Sequence, residues 1–106
     1  MTLFVLNSPI LTSYGHYLFS GPIKIEEARS LLQGEFMSAV GHQVTADMLS
    51  EILGINVPYN RTRIEMKPGD KALIFRLLQR VSPGEINDRT VLEQVGYEMS
   101  WLERTS

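Results

Sequence analysis

Two histidines, His16 and His42, are the imidazoles of this chain, the side-chain type best suited to proton transfer in catalysis. His42 follows Gly41 and stands three residues before Thr45, a residue type that caps helices. A glycine lets backbone come close to a ligand, and free N–H groups at a helix start suit a phosphate. A histidine at that point has the chemistry of a general acid in phosphodiester cleavage, while a hydrogen-bonded loop histidine is the plainer reading of the same position. His16, among Tyr14, Tyr17 and Phe19, reads as a strand-surface residue.

Other chemistries find little support. The chain has no cysteine, which excludes a disulfide framework, a thiolate-bound metal and a cysteine nucleophile. With two histidines and no HExxH or Asp-rich loop, no metal site is legible, and no cofactor is expected. There is no GxGxxG, no phosphate-binding loop ending in Lys-Ser/Thr and no nucleophile elbow. The carboxylate pair Glu26-Glu27 falls in a first helical turn, where it suits the helix dipole better than catalysis.

The formal net charge of −2 speaks against a general nucleic-acid coat, but the charge is uneven. Between Arg61 and Arg80 six basic residues face two acidic ones, which concentrates positive charge in one segment. Solvated strands and a compact anion site are both compatible with that segment.

These residues need a scaffold, and 106 residues suffice for one domain. Thr2 to Leu6 reads as a buried strand ending in the turn residues Asn7-Ser8-Pro9, and Tyr14 to Phe19 as a short strand or extended loop. Helical spacing predicts helices over Ile25 to Gln33 and Thr45 to Leu53, each followed by glycine. Arg63 to Met66 and Lys71 to Arg80 flank Lys67-Pro68-Gly69-Asp70, which predicts a β-hairpin with a basic edge. Such a hairpin is also the ribbon that a DNA-binding reading would need. Ser82-Pro83-Gly84 reads as a break, Thr90 to Gln94 as a short helix and Tyr97 to Leu102 as a last strand. The expected class is α/β or α+β, a single domain over residues 1–106 with about five strands in one mixed sheet and helices packed on it. No Lys or Arg precedes Lys24 and Asn7 and Pro9 interrupt the apolar start, so neither a signal peptide nor a membrane span is expected.

From Gly41 to Arg80 the order Gly-His, a Thr-led helix, Val57-Pro58-Tyr59-Asn60-Arg61, a strand, Pro68-Gly69-Asp70 and a strand ending Leu78-Gln79-Arg80 resembles the type III anti-CRISPR ring nucleases of viruses and mobile elements. The resemblance extends more weakly to Asn7 and to the final strand. It implies a cytoplasmic homodimer around cyclic tetra-adenylate that cuts the ring, without metal, into linear di-adenylate, and so silences type III CRISPR signalling. It implies His42 as the general acid, with the ligand's own 2′-hydroxyl as nucleophile. It further implies Asn7, Gly41, Asn60, Arg61, Arg76 and Arg80 as ligand or phosphate contacts, with no membrane or duplex nucleic acid as partner. Two positions depart from the family pattern. Pro83 stands where a glutamate is common, leaving Glu85 as the candidate for catalytic support, and Ile10 stands where a small hydroxyl residue is usual. Pro83 keeps a non-catalytic alternative open, namely a sequestering protein or a DNA- or protein-binding regulator.

Overall fold

The computed structural model describes residues 2–9, 11, 13–79 and 93–106. Its elements are β1 (Leu3–Leu6), β2 (Tyr17–Ile23), α1 (Ile25–Leu31), β3 (Met37–Ala39), α2 (Gln43–Leu53), β4 (Lys71–Leu77) and β5 (Tyr97–Arg104). The strands form one mixed sheet in the order β2-β5-β4-β1-β3. β1 lies parallel to both β3 and β4, whereas β5 is antiparallel to both β4 and β2. This is the expected α+β class.

Alternation along the strands makes two apolar faces. Val5, Leu73, Phe75 and Met99 point to one face, where Ala28 and Leu32 from the α1 region and Ala46, Leu49, Ile52 and Leu53 of α2 complete the main core. Phe4, Leu6, Ala72, Ile74 and Leu102 point to the other, where Ile64 and Met66 close a second core. Arg29 of α1 donates from Nε to the Leu53 carbonyl at 2.7 Å, satisfying an end carbonyl of α2, and Gly54 turns the chain with φ of 66°.

The predicted hairpin does not form. The turn is present, with the Asp70 N–H donating to the Lys67 carbonyl at 2.9 Å, but residues 61–67 form no strand. β4 already has β1 on one edge and β5 on the other, so no edge is left for Arg63 to Met66. The segment instead straps across the second face, and with it goes the two-stranded basic ribbon that duplex binding would have used.

Other boundaries moved for local reasons. β2 starts at Tyr17 rather than Tyr14 and runs through Gly21-Pro22, which an edge strand tolerates. Gly21 is needed there: its φ is 154°, and a Cβ would sit 3.2 Å from the Ser100 Cα. α1 ends at Leu31, short of Gln33. β3 was not foreseen, because three residues carry too little alternation and the strand exists by parallel pairing with β1. β5 extends two residues beyond Leu102. A helical turn occupies residues 93–95, while the rest of the expected Thr90 helix and the Ser82-Pro83-Gly84 break lie outside the described residues.

Candidate active site at the carboxyl ends of the parallel strands

In open sheets with parallel strands, ligands settle outside the strands' carboxyl ends. Here β1 ends at Leu6 and hands over to half-buried Asn7, and β3 ends at Ala39 and hands over to Val40-Gly41-His42 and the start of α2. α2 begins two residues earlier than its sequence suggests. His42 itself is the N-cap, with φ −134° and ψ 127°, and no side chain caps the helix. Thr45 therefore lies inside the first turn instead of capping it. The Ala46 N–H is the first to reach back, donating to the His42 carbonyl at 3.0 Å. The preceding N–H groups of the first turn have no carbonyl partner within the helix, which is the electrostatic character a phosphate exploits. The His42 ring is exposed.

The Asn60-Arg61 pair is brought to the same place by the backbone. Val40 and Tyr59 form a parallel bridge, the Asn60 N–H donates to the Val40 carbonyl at 2.9 Å, and Asn60 Nδ2 donates to the Ser38 carbonyl at 2.7 Å. Next in line, Arg61 lies along Gly41: a Cβ on that glycine would stand 3.5 Å from Arg61 Cγ. Asn60 thus works as a tie that sets Arg61 beside Gly41-His42, with its amide nitrogen committed to the backbone. Ser38 supports the same junction by donating to the Pro58 carbonyl at 2.6 Å.

Arg76 is near the end of β4 and its side chain is 44% exposed. Its Nε donates to Glu98 Oε1 at 2.6 Å, Nη2 pairs with the same oxygen, and the guanidinium carbon lies 6.0 Å from the Phe19 ring centroid. Gly41, His42, Asn60 and Arg61 are therefore one cluster, and Arg76 belongs to a second, two strands away. Arg80 and Glu85 lie outside the described residues, as does Ile10.

Sequence reasoning missed three residues that hold this arrangement. Glu98 could be matched to Arg76 only once the β4–β5 register was known. Asp70 accepts from the Lys67 N–H at 2.9 Å and the Thr2 N–H at 2.8 Å. Burial raises its pKa, but these two donors, with the Lys67 charge, outweigh that and hold it below the ordinary value. Its place closing a Pro-Gly turn was the available signal. Arg104, two residues beyond the predicted last strand, donates to the Met66 and Tyr14 carbonyls and so binds the strap's far end. Among the described residues, no three His, Asp or Glu side chains converge as a metal-binding group, and no helix is long and apolar enough to cross a membrane.

Comparison with known proteins adds ancestry. An uncharacterized protein of Sulfolobus islandicus filamentous virus is 41% identical, covering 94% of this chain and 88% of its own length. Another from Acidianus two-tailed virus is 38% identical over 77% of this chain and 74% of its own. A Bacillus subtilis protein, YddF, is 31% identical over 98% of both chains. The solved structure of B116 from Sulfolobus turreted icosahedral virus shares the fold, with a TM-score of 0.78 at 20% identity over 98% of this chain and all of that one. Residues 3–99 match the STIV B116-like family, and with that coverage and its viral relatives the chain belongs to this family.

Proposed function

We propose that this chain is a metal-independent ring nuclease that binds cyclic tetra-adenylate and cuts it to linear di-adenylate. The observation that carries the reading is the Gly41-His42 turn, an uncapped helix start with an exposed histidine and with Arg61 tied alongside by Asn60. First-turn N–H groups and Arg61 hold a phosphate there, and the turn keeps the 2′-oxygen in line with the scissile bond, where positioning supplies much of the acceleration. The 2′-oxygen bonds to phosphorus and gives up its proton to solvent. The phosphorus–5′-oxygen bond breaks, and the His42 imidazolium protonates the departing oxygen, leaving a 2′,3′-cyclic phosphate end.

The protein acts in the cytoplasm as a homodimer, with one His42 at each of two opposite phosphates, an arrangement that suits a twofold ligand and an isologous interface. Cutting the ring removes the signal that activates type III CRISPR effector nucleases. Pro83, in place of the family's usual glutamate, favours one second reading, in which the same site sequesters the ring without cutting it. A ring lacking the 2′-hydroxyls separates binding from chemistry. It should bind as the ribose ring does and stay intact, whereas cleavage of the deoxy ring would remove the 2′-oxygen as nucleophile.

A further inference from the structure

Arg76, Glu98 and Phe19 form a corner whose chemistry differs from that of the His42 cluster. Leu6 is level with Ala39 on β3 and with Ile74 on β4. Arg76, two residues beyond Ile74, therefore stands at the height where the chain leaving β3 reaches Gly41. Two strand spacings, about 10 Å, separate the two places across the sheet. Strand alternation puts Arg76 on the face that carries Ile74 and Leu102, and Phe19 is opposite Leu102 on that same face.

The guanidinium is not a bare cation. Both of its contacts with Glu98 fall on Oε1, so its charge is balanced, and its carbon lies 6.0 Å from the centroid of the ring of Phe19, which is 46% exposed. A balanced Arg–Glu pair is a poor phosphate trap. It offers in-plane donors from the guanidinium and an acceptor from Oε2, which Arg76 does not use, beside a π surface. That combination suits a neutral planar heterocycle with a donor and an acceptor on one edge.

We propose that Phe19, Arg76 and Glu98 form a nucleobase-reading corner, in which Phe19 and the guanidinium carry an adenine of the ring bound at His42 and Glu98 accepts its exocyclic amine. This inference rests on the cyclic tetra-adenylate reading and adds what selects the base. Phosphate contact then falls to the Gly41-Arg61 cluster, and base identity to this corner.

The test is calorimetric titration of the whole chain with two uncleavable probes, the cyclic tetra-deoxyadenylate and its deoxyinosinate counterpart, in which a carbonyl replaces the amine. Wild type should prefer the adenine ring by about tenfold, the scale of a well-placed base contact. Glu98→Gln should abolish that preference, since an amide serves either base, by lowering adenine-ring affinity about tenfold to the level of the deoxyinosinate ring. Phe19→Leu should weaken both rings alike by about tenfold, as loss of a stacking partner does. An unchanged adenine preference in Glu98→Gln, or unchanged binding in Phe19→Leu, overturns the corner while the ring-binding reading stands. If Glu98→Gln does not fold, the Phe19→Leu result decides alone. Failure of wild type to bind either ring overturns both.

Discussion

His42 is exposed and its ring caps nothing, so its removal should leave the fold and the ring-binding surface in place. Rapid-quench assays of His42→Ala are expected to show cleavage reduced by about 10² to 10⁴, the usual worth of a positioned acid, with affinity retained. A ring with sulfur at the bridging 5′ position should restore much of that loss, because a thiolate leaves without a proton. In the proposed reading Arg61 holds a phosphate of the ring. Arg61→Ala should cost about 1.5–3 kcal/mol of ring affinity, the range for a charged hydrogen bond. A normal dissociation constant in that variant would place the phosphate elsewhere.

The strap over residues 61–67 is the element that joins the site to the fold, and it is held at both ends. At one end Asn60 binds the backbone of Ser38 and Val40; at the other Asp70 and Arg104 bind Lys67 and Met66. Asn60→Ala leaves a buried carbonyl without its donor, which should cost about 1–3 kcal/mol of stability and weaken ring binding through Arg61. Thermal melts read alongside titrations would show both. Asp70 sets an acid limit. Its folded pKa lies below its unfolded value near 3.8, so its contribution is present above about pH 4 and is lost as pH falls through the lowered value. Asp70→Asn should therefore be less stable than wild type at neutral pH, with the gap closing below about pH 4 in acid titrations followed by circular dichroism.

Much of this scale was legible in the sequence. β1, α1, α2, β4 and β5 announce themselves by apolar periodicity and by flanking glycines. The Pro68-Gly69 turn was also readable, but which strand pairs with β4 is a tertiary decision, and the occupied edges of β4 turned a predicted hairpin partner into a strap. Three residues of β3 hold too little pattern to stand out. Gly41, His42, Asn60 and Arg61 were legible as types in order, while Asn60 as a tie and Glu98 as Arg76's partner required the register.

At the scale of the molecule, parallel strands on one half of the sheet bring Asn7, Gly41 and the end of β4 to one edge, antiparallel β5 adds Glu98 there, and the Phe19 ring of β2 approaches the Arg76 guanidinium from further down the sheet. α2 packs on the main core and presents its uncapped start at that same edge. In the proposed function this edge is where a ring is held and cut. The most direct measurement incubates wild type and His42→Ala with cyclic tetra-adenylate in EDTA and resolves the products by chromatography and mass spectrometry. Linear di-adenylate from wild type, with ring left intact by His42→Ala over the same interval, is the result expected. An intact ring with wild type, or equal cleavage by both proteins, would contradict it.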